Sequence, residues 1–169
     1  MTTTLAGPAL PEGWRTPEII HAIKVAALLD HMTPEAVGPP SYRARYVARD
    51  TAPRQARQGV TLALAVWGMG HLADTARLLI SELVTNALVH TDSRVISMVV
   101  TRTGDTAVRI AVMDTDRSEL PVPAPQGDDE EHGRGLALVA ALADRWGTER
   151  VVTGKRVWAE IDTTKADQQ

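Results

Sequence analysis

The chain predicts a two-layer α/β sandwich: a mixed, mostly antiparallel sheet with helices on one face. Val95–Thr101 and Ala107–Met113 are rich in β-branched residues and flank Thr103-Gly104-Asp105, a hairpin signature. A second pair, Thr148–Val152 and Val157–Ile161, flanks Thr153-Gly154-Lys155-Arg156 in the same way. The stretches before and between these hairpins carry apolar residues at three- and four-residue steps. Strands gathered in adjacent pairs, without the crossover pattern of a Rossmann fold, leave the helices to cover one face.

Taken in order, Met1–Pro40 reads as an N-terminal extension with one helix. TLAGPALPEGW is a Pro/Gly-punctuated loop, and Pro17–His31 then places Ile19, Ile20, Ile23, Ala27 and Leu28 at helical spacing before MTPEAVGPP stops it. That helix is read as cover for part of the core or for a dimer surface. Ser41–Ala48 alternates Tyr42, Ala44, Tyr46 and Ala48 against Arg43, Arg45 and Val47, a strand with one wetter face. Pro53–Trp67 repeats Ala56, Val60, Leu64 and Trp67 as a helix running to the Gly68-Met69-Gly70 break. A helix over about Leu72–His90 follows, its apolar stripe made of Ala76, Leu79, Leu83 and Ala87. Thr115–His132 is a long polar loop with Pro121, Pro123 and Pro125 and the acidic run Asp128–Glu131, either a working lid or slack. Gly133–Trp146 returns to helix through Leu136, Val139, Leu142 and Ala143. The single domain is therefore 41–162, and 163–169 reads as a disordered tail.

Composition narrows the function. A chain of 169 residues has room for one ordinary domain plus an extension. The formal charge of -3 and a pI near 5.9 give no electrostatic footprint for nucleic acid, which is set aside as a ligand. With no cysteine there are no disulfides, thiolate nucleophiles or thiolate-held zinc, and the five histidines show no metal-ligand spacing. Any metal is therefore held mainly by oxygen. No apolar run approaches the ~18 residues of a membrane span, and the first fifteen residues lack the basic start and apolar centre of a secretory signal. The expectation is a cytoplasmic protein that neither crosses nor binds a membrane.

Three motifs carry chemistry. In SELVTNALVHT, Glu82 and Asn86 stand one helical turn apart and project from nearly one side, so both can serve one metal-bound ligand. Asp114 leaves the end of an apolar strand, where a carboxylate suits the exocyclic amine of adenine. Gly133 and Gly135 flank Arg134 at a helix start: the glycines admit a polyphosphate to the backbone, the helix end offers N–H groups, and Arg134 offers a forked cation. Asn86 supplies a hard oxygen for Mg²⁺, and Glu82 is the candidate base for an attacking hydroxyl or water.

SELVTNALVH, VMDTD and HGRGLALV, closed by GKRVWAEI, resemble the N box, the two glycine boxes and the last strand of the GHKL (histidine-kinase-like) ATPases. The likeness is nearest to their short single-domain branch, the bacterial anti-sigma-factor serine/threonine kinases, and covers about Tyr42–Ile161. It implies a Bergerat-type sandwich, ATP and Mg²⁺ as ligands, and a homodimer. It further implies that the protein binds a sigma factor and phosphorylates a small antagonist protein of the anti-anti-sigma type. By position Glu82 matches the family's catalytic base, Asn86 its Mg²⁺ ligand, and Asp114 its adenine contact. Gly133, Arg134, Gly135 and Leu136 match the phosphate-binding end of the lid. Two departures stand out. Asp114 is followed by Thr115, Asp116, Arg117 and Ser118 where the family continues Asp-x-Gly-x-Gly, and Arg156 stands where a small hydroxyl residue is common. The missing glycine turn favours an alternative, a partner-binding regulator that responds to nucleotide or ignores it and has no kinase activity.

Overall fold

A computed structural model describes residues 32–34, 38–116 and 134–163. In chain order the elements are β1 (Met32–Pro34), β2 (Ser41–Val47), α1 (Ala52–Val66), a 3-10 turn at Gly70–Leu72, α2 (Ala73–His90), β3 (Val95–Arg102), β4 (Ala107–Asp114), α3 (Arg134–Leu142), β5 (Arg145–Val151) and β6 (Gly154–Asp162). The strands form one sheet in the order β1-β2-β3-β4-β6-β5, and every pair is antiparallel. With the three helices this is the α/β sandwich that the paired strands predict.

The layer between sheet and helices is apolar. Ala44 and Tyr46 of β2, Ile96, Met98 and Val100 of β3, Val108, Ile110 and Val112 of β4, and Val157, Ala159 and Ile161 of β6 are buried on the helical face. They meet Ala56, Val60 and Leu64 of α1 and Leu79, Ile80, Leu83 and Val84 of α2. Leu79 and Leu83 are fully buried, and truncating either to Ala would cost about 2–5 kcal/mol, so α2 is held firmly on the sheet. The other face carries ion pairs: Arg109 and Arg145 both bind the carboxylate of Glu160, and the Arg109 guanidinium lies 4.3 Å from the centre of a Trp158 ring.

Local chemistry sets the boundaries. Helix α1 starts with Pro53 in its first turn, where a missing N–H costs nothing. It stops at Gly68, whose φ of 71° lets its N–H reach the Ala65 carbonyl while the Met69 N–H reaches that of Leu64. The 3-10 turn then leads directly into α2, so the long central helix begins where its apolar stripe does.

Three boundaries differ from the sequence reading. Helix α3 ends at Leu142 rather than Trp146: the Ala143 N–H closes the last turn on the Val139 carbonyl, and Asp144 N–H already bonds the Glu160 carbonyl of β6. Trp146 is a strand residue opposite Ala159, an apolar position that fits either period. The last hairpin turns on Val152 and Thr153, so Gly154, Lys155 and Arg156 are strand residues, not turn residues. Finally, Met32–Pro34 pairs with Tyr42–Ala44, so the sheet reaches into the stretch read as an extension. Three residues are too few to show a period of two. The expected helix at Pro17–His31, most of the long loop, and the tail beyond residue 163 lie outside the described residues. Among the described residues, no helix is long and apolar enough to cross a membrane.

Candidate functional site

Helix α2 lies against β4 and β6 on one side and α3 on another, and this placement assembles the site. Leu83 and Ala87 turn into the core while Asn86, half-buried, borders a small cleft with His90. Val112 and Asp114 of β4 and Lys155 and Val157 of β6 form the opposite wall. Asn86 and Asp114, separated by 28 positions, thus share one cleft. The apolar walls Leu83, Ala87, Val112 and Val157 suit a flat base, with an acceptor-only carboxylate at the strand end. Between these described residues the cleft holds about 20 Å³, room for about one water.

One turn back along α2, Glu82 is half-buried against the start of α3. A Cβ built on Gly135 would stand 2.9 Å from Glu82 Oε2, so glycine lets the helix start approach the carboxylate. Glu82 therefore faces the first turn of α3, where unpaired N–H groups collect. Leu136 is buried in the core, which leaves only its backbone for a ligand. Gly133 and the side chain of Arg134 lie outside the described residues.

Asp114 is buried, and its Oδ1 accepts the Asp116 N–H at 2.9 Å. Burial pushes its carboxyl above the ordinary 3.8, outweighing the Asp116 amide and the Lys155 ammonium, which pull it down; the Asp116 charge adds to the rise. Relative to the unfolded chain, the fold thus shifts Asp114 toward its protonated form. Its contribution to stability is complete below pH 3.8 and is lost as pH rises through the elevated folded value. Urea unfolding of the wild type and of Asp114→Asn between pH 4 and 7 should show the wild type losing stability relative to the variant as pH rises. The opposite trend would mean that the amide and ammonium outweigh burial.

Side chains build the turn that glycines would otherwise make after Asp114. Besides the Asp116 amide on Asp114, the Thr115 N–H donates to Ser93 Oγ at 2.8 Å, and Lys155 Nζ meets Asp116 Oδ2 at 3.2 Å. Ser93 and Lys155 are both buried. Neither stands out in the sequence as a site residue, although the inward period Lys155, Val157, Ala159, Ile161 on β6 was available as a signal. Arg156, flagged in the sequence at this strand, turns to the other face, pairs across the sheet with Met113, and binds Glu149 at 2.7 Å.

The donor set suits magnesium carried in with phosphates. Among the described residues no group of three or more His, Cys, Asp or Glu side chains could hold a metal alone. Asn86 offers one hard oxygen, leaving other positions to phosphate and water, as Mg²⁺ prefers.

A family model described as a histidine kinase-like ATPase domain matches residues 46–161, a span containing Glu82, Asn86, Asp114, Gly135 and Lys155. An uncharacterized protein of Streptomyces coelicolor is 49% identical over 43 residues, 25% of this chain and 41% of that protein. The aligned stretch thus spans about two-fifths of that relative's length.

Proposed function

The chain belongs to the histidine kinase-like ATPase domain family, and from that premise we propose that it is an ATP-dependent serine/threonine protein kinase acting as an anti-sigma-type regulator. The observation that carries this reading is the arrangement on α2: Asn86 borders the cleft that holds Asp114, while Glu82, one turn away, abuts the amide-rich start of α3. ATP with Mg²⁺ supplies the transferable phosphoryl group. Asp114 accepts a hydrogen bond from the exocyclic amine of the base, and Lys155, through Asp116, positions it. Asn86 offers its side-chain oxygen to the metal. The first amides of α3, approached closely at Gly135, steady phosphate oxygens. A carboxylate oxygen of Glu82 takes the proton of the incoming serine or threonine hydroxyl. Partner choice, a sigma factor held and a small antagonist phosphorylated by a homodimer, rests on the motif resemblance.

Calorimetric titration with ATP and ADP, each with and without Mg²⁺, tests the nucleotide site, and phosphate incorporation into a purified antagonist tests transfer. Asn86→Ala should weaken Mg-ATP binding ~10-fold or more and leave metal-free nucleotide binding unchanged. Unchanged Mg-ATP affinity in that variant would remove Asn86 from the metal shell. EDTA should reduce wild-type affinity to the level of the variant. The narrow cleft and the glycine-free turn after Asp114 favour a second reading, a regulator that binds a partner without phosphorylating it. Nucleotide binding without phosphate incorporation would select that reading.

A further inference from the structure

A second cavity, independent of the cleft above, opens between the end of β2 and the start of α1. It encloses about 320 Å³, within the range of small-molecule sites. Met32 and Val47 give it an apolar part, and Gly59 of α1 lies on its wall. Arg45, Arg49 and Gln55 also line it, and none of the described lining residues is acidic.

The Tyr46 side chain singles out this cavity. The residue is 8% exposed, yet its hydroxyl has no hydrogen-bond partner among the described residues. Among the described residues no fully enclosed side-chain nitrogen or oxygen is left unpaired, so this oxygen reaches open space, and Tyr46 lines the cavity. Gly59 makes room for it, because a Cβ there would stand 2.8 Å from the hydroxyl oxygen. Burial pushes the phenol up to about 12, which keeps it a donor at all ordinary pH.

The surroundings select the sign of the ligand. Helix α1, 15 residues long, has no acidic residue in its first turn, and its N-cap Thr51, which lines the cavity, makes no side-chain cap. Arg45 and Arg49 make no ion pair among the described residues. A helix N-terminus, two arginines on the lining and a phenolic donor all favour negative charge. We propose that this cavity binds a small organic anion, a carboxylate or phosphate monoester on an apolar body, with Tyr46 Oη–H donating to it and Arg45 and Arg49 offsetting its charge.

The full chain is titrated calorimetrically with phenyl phosphate, benzoate, inorganic phosphate and benzyl alcohol at matched ionic strength. Saturable binding of phenyl phosphate or benzoate, and not of benzyl alcohol, is expected; which anion binds distinguishes the two head groups. Tyr46→Phe and Arg49→Gln should each weaken that binding about 5-fold or more. Both substitutions lie outside the nucleotide cleft, so their Mg-ADP affinity should match the wild type, which places the anion in this cavity. No saturable binding of either organic anion, or wild-type affinity in either variant, would overturn the proposal. Inorganic phosphate binding as tightly as phenyl phosphate would overturn the requirement for an apolar body.

Discussion

Gly154→Ala should destabilise the protein by about 3 kcal/mol and abolish nucleotide binding at the cleft. A Cβ at this position would lie 1.9 Å from the Asp114 carbonyl oxygen and 2.8 Å from the Thr115 Cα, both main-chain atoms. No rotamer change relieves such a contact, so one strand end has to move. The pairing Asp114↔Lys155 is the last rung of the β4–β6 ladder, and moving it displaces the carboxylate together with the ammonium that holds Asp116. For a domain of this size that loss lowers the melting temperature by about 10 °C. Thr153→Ala, exposed in the same turn, serves as the control and should stay within about 0.5 kcal/mol of wild type. Wild-type melting of Gly154→Ala would mean that the strand end yields freely and that the register here does not set the site.

Glu82→Gln should reduce phosphoryl transfer by about 10³-fold while Mg-ATP affinity stays within about 2-fold. The carboxamide keeps the size of the carboxylate and its packing beside Gly135, but it cannot take a proton from a hydroxyl. The measurement pairs single-turnover phosphate incorporation with calorimetric affinity on one preparation. A parallel loss of both quantities would make Glu82 a binding group rather than a base. Leu83 and Leu79 anchor this turn of α2 in the core, so the substitution should not disturb the fold.

Much of this site is legible in the chain because helical spacing is local. Glu82 and Asn86 share a side of α2 whatever surrounds it, and Leu79, Leu83 and Ala87 state which face goes inward. The β3–β4 hairpin is equally plain, since Thr103-Gly104-Asp105 marks its turn between β-branched runs. The last hairpin is less plain. Gly154 suggests a turn by its residue type, yet the turn is Val152-Thr153, and glycine is needed instead because another strand's backbone passes against it. Trp146 fits a helical stripe as well as a strand, and only its pairing with Ala159 decides between them.

The antiparallel α/β class, the carboxylate–carboxamide pair on α2, the strand-end Asp114 and the resemblance to histidine-kinase-like ATPases are properties of the amino-acid sequence alone. Which basic residue meets Asp116, that Glu82 abuts Gly135, and that the Tyr46 hydroxyl opens into a cavity beside two arginines were decided by tertiary structure. The physical reason is register. Side chains on a strand alternate faces, so a slip of one residue exchanges Lys155 for Arg156, and the pairing that forbids the slip is made by segments about forty positions apart.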